Sequence, residues 1–540
     1  MQPHTLHDDV ACGAAIEDGP RPSSITHSLE RTWSLDSSGM PRIAPFGLLE
    51  PPSSMPPTPA LTSAQVSGQR MLEQPLLDGE RLLQELVEAP VTRLARCMDF
   101  LHRLLAFTGP GWLMSIAYVD PGNLEADLQC GAQYGYMLLW VLFWATGVGL
   151  GMQLVAARLG CVTRQHLAEH CREHYPLRAR VMLWLLTETA IIGSDIQEVI
   201  GGAIGLQLLL GVPLYVGVVL TAGAAFAFLF LERFGTRPLE MFFGMLIMIL
   251  ACSMGGLFAI IHPDQGEVLE GLLVPRLPAS AVSQAVGMVG CIIMPHNLFL
   301  HSALVQSRVI EPGEEHEAIK LYSIESTAAI LTSVMINTFV VAVFAKGFYG
   351  HPEADQIGLK NAGSFLGKSF GQPLRIIWAL GLCAAGQSST MTGAYAGQWV
   401  MQGYLRLKVK PWKRAIITRS MALLPTLFVA IYFNQGQGGL DTLNSYLNIL
   451  QSLVLPFAVV PLLLFAGSRS VMGDFALPRL AKAFAWLATA VVMAANLFLF
   501  VQQFGGVVTP GLIAGLIIYT TAVAYVAAAV DVWTLGKCPA

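Results

Sequence analysis

The sequence predicts an all-α polytopic membrane protein of about twelve transmembrane helices, and three observations carry that prediction. Of its 540 residues, 54% are apolar and only 13% charged, against roughly 25% charged in a soluble globular protein. Stretches such as 136–157 and 213–231 contain no Lys, Arg, Asp or Glu. Each reaches the roughly 20 residues needed to cross a hydrocarbon core about 30 Å thick. Two spans are also broken by proline, at Asp120-Pro121-Gly122-Asn123 and at Met294-Pro295-His296-Asn297.

The spans begin near 104, 136, 181, 212, 239, 282, 322, 374, 415, 443, 481 and 511. Basic residues fix their orientation, because loops rich in Lys and Arg stay in the cytosol. The second-to-third connection holds Arg158, Arg164, Arg172, Arg178 and Arg180; the eighth-to-ninth holds Arg406, Lys408, Lys410, Lys413 and Arg414. The first, third, ninth and eleventh connections carry no Lys or Arg. Both termini are expected in the cytosol. The seventh connection, with Lys346, Lys360, Lys368 and Arg375, is long enough to cross regardless of charge.

Residues 1–92 differ from the rest. They are rich in Pro and Ser (Pro51, Pro52, Pro56, Pro57 and Pro59 among them) and lack apolar periodicity, so they read as a disordered cytosolic tail. Asp8, Asp9, Glu17 and Asp18 near the start, with no apolar core, argue against a cleaved signal peptide. Within the tail, Glu73-Gln-Pro-Leu76-Leu77 places a dileucine in an acidic context, a candidate signal for a sorting adaptor. Residues 80–105 look amphipathic and suited to a membrane surface. Residues 93–535 then form the transmembrane domain. Nine cysteines occur without a CxxC pair, which gives neither a disulfide framework nor a zinc site.

The first span reads from Leu104 to Val119 before meeting Asp120-Pro-Gly-Asn. About 15 residues are too few to cross, so the break falls inside the bilayer, and Leu124 onward completes the passage. Proline removes a backbone donor and glycine removes side-chain restraint, so regular helix stops there. The sixth span repeats the device, with Ala285 to Ile293 before its break and Leu298 to Val305 after. Interrupted helices five spans apart point to an inverted 5+5 repeat with its site at the midplane. Repeat one covers about 104–262 and repeat two about 282–466, with two further helices at about 481–531.

The residues at the breaks suggest the cargo. Asp120 offers an anionic oxygen, Asn123 a neutral one, the freed Cys291 carbonyl a third and Met294 a soft thioether. Oxygen alone suits Mg²⁺ or Ca²⁺, and adding sulfur shifts preference toward Mn²⁺, Fe²⁺ and heavier neighbours. Ionisable residues inside spans are functional by default. Glu188, Asp195 and Glu198 lie seven and three residues apart, on one face of the third span, a candidate proton wire. His296 sits beside Met294, and Arg419 in the ninth span is a candidate partner for the third-span acids. His301 and Glu325 read equally well as structural polar residues.

Ser115-Ile-Ala-Tyr-Val-Asp-Pro-Gly-Asn123, Ile293-Met-Pro-His-Asn297 with Leu300-His-Ser302, and Gly386-Gln-Ser-Ser-Thr390 with Thr392-Gly and Tyr395-Ala-Gly-Gln398 resemble the signature stretches of the Nramp family, in its plant and algal branch. The resemblance covers roughly residues 100–530. It implies a proton-coupled divalent metal transporter with the fold of sodium-coupled amino-acid transporters, working by alternating access and moving metal into the cytosol. Carried over residue by residue, it implies metal ligation by Asp120, Asn123, Met294 and the Cys291 carbonyl. It implies proton roles for Glu188, Asp195, Glu198, His296 and Arg419. Asn448 matches a tenth-span position that helps coordinate metal in some states. Metal and protons are then cargo, with no resident cofactor and no enzymatic activity expected, in an endosomal or vacuolar membrane rather than the plasma membrane. Two alternatives stand beside this reading. An amino-acid carrier of the same fold would have to seat a carboxylate against Asp120. A metal-sensing receptor would need a large cytosolic output domain, whereas the sequence ends within about ten residues of the last span.

Overall fold

The computed structural model describes residues 93–231, 236–308, 310–405, 411–432, 439–504 and 510–530. The N-terminal tail and its dileucine lie outside them. The described residues form helices and no strands. A first helix, α1 (Arg93–Phe107), precedes the spans. The first span is α2 (Pro110–Ser115) and α3 (Pro121–Tyr134), the second α4 (Leu139–Thr163). A short connecting helix, α5 (Leu167–His174), leads to the third span, α6 (Leu177–Leu210). The fourth and fifth are α7 (Leu214–Leu231) and α8 (Thr236–Ile261), followed by the connecting α9 (Gln265–Leu273).

The sixth span is α10 (Val282–Ile292) and α11 (Pro295–Leu304), the seventh α12 (Glu315–Phe348). After the connecting α13 (Leu359–Phe370), the eighth to tenth spans are α14 (Gln372–Leu405), α15 (Pro411–Tyr432) and α16 (Gly439–Ala466). A four-residue turn, α17 (Arg469–Met472), leads to α18 (Arg479–Phe504) and α19 (Pro510–Ala528). All twelve expected spans thus have a helical counterpart. By length and hydropathy alone, six stretches among the described residues would cross a membrane unaided. The broken sixth span, within Ala279–Ser307, is among these six, whereas the broken first span is not. At 34 residues, α6 alone extends about 51 Å.

One boundary differs from the sequence reading. Leu104 to Phe107 belong to α1, not to the first span, which starts at Pro110. The chain turns at Gly109, whose φ of +147° is open to glycine but not to L side chains. Proline at the next position starts a helix readily because its missing N–H would be unpaired there anyway. The new helix start is capped from a distance. Glu325 on α12 accepts from the backbone N–H of Gly109 at 2.5 Å and of Gly111 at 3.0 Å, satisfying donors that a helix start leaves unpaired. These contacts are what a structural role for Glu325 requires, while its Oε2 has no hydrogen-bond partner among the described residues. Arg308 joins the same corner, with Nη2 2.7 Å from Glu240 and 3.0 Å from the Thr108 carbonyl.

The packing repeats with a period of five spans. The third span packs along the eighth. The second half of the broken first span, α3, packs on the seventh, as α11 of the broken sixth packs on the second. The third meets the ninth and tenth, as the eighth meets the fourth and fifth. Spans five apart run in opposite directions, so the two halves are inverted copies. The central crossing of α6 and α14 is built on glycine. A Cβ at Gly386 would overlap the Gly202 backbone, and one at Gly205 would lie 2.8 Å from the Cys383 nitrogen. Small residues let two backbones approach this closely in a membrane.

Candidate functional site

The break in the first span is stabilised by its surroundings. Pro121 has no N–H to offer the carbonyl four residues back, Ala117; the Asn123 side chain donates to that carbonyl instead, at 3.3 Å. Ser333 and Asn337 on α12 donate to the carbonyls of Ser115 and Tyr118, at 2.9 and 2.7 Å. Irregular backbone at membrane depth is thus satisfied by protein, as it must be. Asp120 caps α3. Its Oδ1 accepts from the Asn123 backbone at 2.8 Å and from the Asn123 side chain at 2.7 Å.

This leaves oxygen to spare. Asp120 and Asn123 are 0% and 1% exposed, and among the described residues no group donates to Asp120 Oδ2 or Asn123 Oδ1. A buried carboxylate oxygen without a donor is costly unless a cation takes the place of one. The break in the sixth span faces the first span, since α10 packs on α3 and α11 on α2. Met294 is buried at the N-cap of α11, immediately before Pro295. The carbonyl that Pro295 leaves without its helical donor is that of Cys291, four residues back. The Cys291 thiol donates to the Met288 carbonyl at 3.2 Å. The two breaks therefore carry, on helices packed against each other, a carboxylate oxygen, an amide oxygen, a thioether and a freed carbonyl, all on buried residues.

The third span runs beside the first break. Its Gly201 clears Pro121, where any Cβ would overlap the proline ring. The acidic stripe faces the eighth span. A Cβ at Gly393 of α14 would lie 2.5 Å from Asp195 Oδ1 and 3.0 Å from Glu198 Oε2. Ser194 donates to Glu198 at 2.7 Å. Glu188, 5% exposed, lies two turns earlier on the same side, close enough to Asp195 to interact electrostatically. His296 and His301 are buried on α11; His301 Nε2 is 3.5 Å from Ser326 Oγ, and His296 Nδ1 has no hydrogen-bond partner among the described residues. Arg419 belongs to α15, but its side chain lies outside the described residues, as does any pairing with the third-span acids.

Three residues escaped the sequence reading. Gln197 donates to the Asn448 side-chain oxygen at 2.8 Å and to the Asn444 carbonyl at 3.1 Å, and accepts from Gln451 at 2.7 Å. Asp127 is buried seven residues after Asp120 on the same helical face, close enough to act electrostatically on Cys291, as Asp120 is. Asn297 is 2% exposed with neither side-chain atom hydrogen-bonded among the described residues. The signal for Asn297 was available, since Asp120-Pro-Gly-Asn123 and Met294-Pro-His-Asn297 end alike. Asn448 lies at the edge of a cavity of about 180 Å³ between α3, α10 and α16, lined also by Glu125, Gln129, Gln284 and Asn444.

Residues 111–502 match the family described as natural resistance-associated macrophage protein-like. The chain is 52% identical over 432 residues to "Metal transporter Nramp4" of Arabidopsis thaliana, covering 78% of this chain and 84% of that protein. It is 52% identical over 416 residues to "Metal transporter Nramp3.1" of Populus trichocarpa, covering 76% and 83%. Among solved structures it resembles the Eremococcus coleocola manganese transporter, crystallised with an aromatic bis-isothiourea compound. That match has a TM-score of 0.71 and 30% identity over 81% of this chain and 95% of that one. Mhp1, a nucleobase-cation-symport-1 family transporter, matches at a TM-score of 0.52 and 16% identity over 80% and 94%, a likeness of fold alone. A broken-helix inverted repeat, a family match across most of the chain and relatives at this identity agree: the chain belongs to the natural resistance-associated macrophage protein (Nramp) family.

Proposed function

We propose that the protein is a secondary transporter that carries divalent transition-metal ions into the cytosol by alternating access, coupled to protons. One observation carries the reading. Asp120 Oδ2 and Asn123 Oδ1 are buried without a donor among the described residues, at a break packed against the one that holds Met294 and frees the Cys291 carbonyl. The names of the relatives and of the structural neighbour support it, being metal and manganese transporters.

In this reading the ion enters through the cavity beside Asn448 and exchanges water for Asp120, Asn123, Met294 and the Cys291 carbonyl. The half-helices of the first and sixth spans then rock to open the other side. Protons taken up near Asp120 leave along Glu188, Asp195 and Glu198, with His296, His301 and Arg419 as further stations. Both termini lie in the cytosol, where the basic connections would hold them. The Leu76-Leu77 pair recruits a sorting adaptor to an endosomal or vacuolar membrane.

The test is uptake into proteoliposomes with an acidic exterior, a metal-sensitive dye and a pH dye inside. Mn²⁺ should enter with acidification of the lumen, while Ca²⁺ and labelled amino acids stay outside. Amino-acid uptake without Mn²⁺ flux would overturn the proposal. In the same assay Met294→Ala should erode the preference for Mn²⁺ over Ca²⁺ by about tenfold, because it leaves only oxygen ligands. Unchanged selectivity would remove the thioether from the ligand set.

A further inference from the structure

The carboxamide of Gln197 occupies a position that the acidic stripe on the same helix does not. Residue 197 lies two positions beyond Asp195, about 200° around the helix, so the acids face the eighth span while Gln197 faces the first break and the tenth span. A Cβ at Gly122 would lie 3.4 Å from both Asp120 Oδ2 and Gln197 Cδ, so Gln197 stands directly beside the break. From there it reaches Asn448 Oδ1 at 2.8 Å and the Asn444 carbonyl at 3.1 Å, and its own oxygen accepts from Gln451 at 2.7 Å. Gln197 and Gln451 are 3% and 0% exposed. The backbone of Asn448 in turn lies beside α10, its carbonyl 3.7 Å from where a Cβ at Gly290 would stand, one residue before Cys291. The ring of contacts closes from the first break through Gln197 and Asn448 to the sixth.

A carboxamide oxygen has two lone pairs. The bond from Gln197 fills one on Asn448 and fixes the direction of the other. Without that donor, the Asn448 side chain would have to be oriented by the cation itself, at the cost of its own rotational freedom. Resting on the proposed transport of metal, we infer that Gln197 is a positioning residue for the cargo: it touches no ion, and it presents Asn448 to the ion as the tenth span closes over the breaks.

The experiment compares initial Mn²⁺ uptake in proteoliposomes for wild type, Gln197→Ala, Asn448→Ala and the double variant. Loss of one orienting hydrogen bond should raise KM about fivefold in Gln197→Ala and leave Vmax per folded transporter within about twofold. Gln197 acts through Asn448, so the double variant should match Asn448→Ala alone. A KM for Gln197→Ala equal to wild type would overturn the inference, as would a double-variant KM equal to the product of the two single effects. A loss in Vmax alone, with KM unchanged, would show a purely structural role and overturn it too. Should the alanine protein fail to fold, Gln197→Met keeps the volume without the donor and is read by the same criteria. A wild-type protein that moves no Mn²⁺ would remove the proposed function itself, whereas active wild type with an indifferent Gln197 removes this inference alone.

Discussion

Replacing Asp120 by alanine should abolish Mn²⁺ uptake, with flux falling at least about 100-fold to the level of empty vesicles. Asp120 is the sole anionic member of the proposed ligand set, and a divalent ion stripped of water at a buried site without it would face a desolvation cost that neutral oxygens cannot offset. Asp120 also caps α3, so alanine would remove a helix cap as well, worth about 1 kcal/mol. Asp120→Asn separates the two contributions, because asparagine caps as well as aspartate yet carries no charge. The asparagine protein should fold like wild type in a thermal-stability assay and be as inactive as the alanine protein. Uptake restored by asparagine would assign the residue to helix capping and remove it from the ligand set.

The second large effect is expected far from any ligand. Gly386→Ala would drive a methyl group into the Gly202 backbone and within 3.1 Å of the Glu198 carbonyl. Neither obstacle is a side chain that can swing aside, so α6 and α14 must separate. Overpacking of this kind costs about 1–3 kcal/mol, and the separation also shifts Gly201 off Pro121. Uptake should fall below about a tenth of wild type, with a matching loss of folded protein by size-exclusion chromatography. Gly147→Ala and Gly151→Ala on α4, where nothing lies within 4 Å of the added methyl, provide the control and should behave as wild type. A Gly386→Ala protein that is stable and active would mean the crossing is looser than its geometry indicates.

Much of this was legible in the sequence, for reasons that differ by residue. The two breaks could be located because proline and glycine act on the backbone whatever surrounds them, and because span length is set by the bilayer. The acidic stripe could be placed on one face because 3.6-residue periodicity needs no tertiary information. The start of the first span is masked in the sequence because Leu104, Leu105 and Phe107 are as apolar as membrane residues, and only Gly109-Pro110 marks the turn. Gln197 was invisible for a deeper reason. A glutamine between Asp195 and Glu198 reads as an ordinary polar residue, and only the register of the third span against the tenth decides that it meets Asn448. Glycine told a similar half-truth. Gly147, Gly151, Gly202 and Gly386 look alike in the sequence, and packing alone separates the two that touch nothing from the two that set a crossing.

The freed carbonyl at Cys291 has a consequence for how this site tolerates change. In the proposed site that ligand belongs to the main chain, so no substitution at position 291 can delete it, and any small side chain that fits beside Met288 can stand there. The ligand is encoded four residues away instead, by the missing N–H of Pro295. Variation at 291 is therefore cheap and uninformative about cargo. A change at 295 that let the helix run on through Ile293 and Met294, now non-helical, would hand the carbonyl back to its helix and remove the proposed metal contact without altering a single coordinating residue.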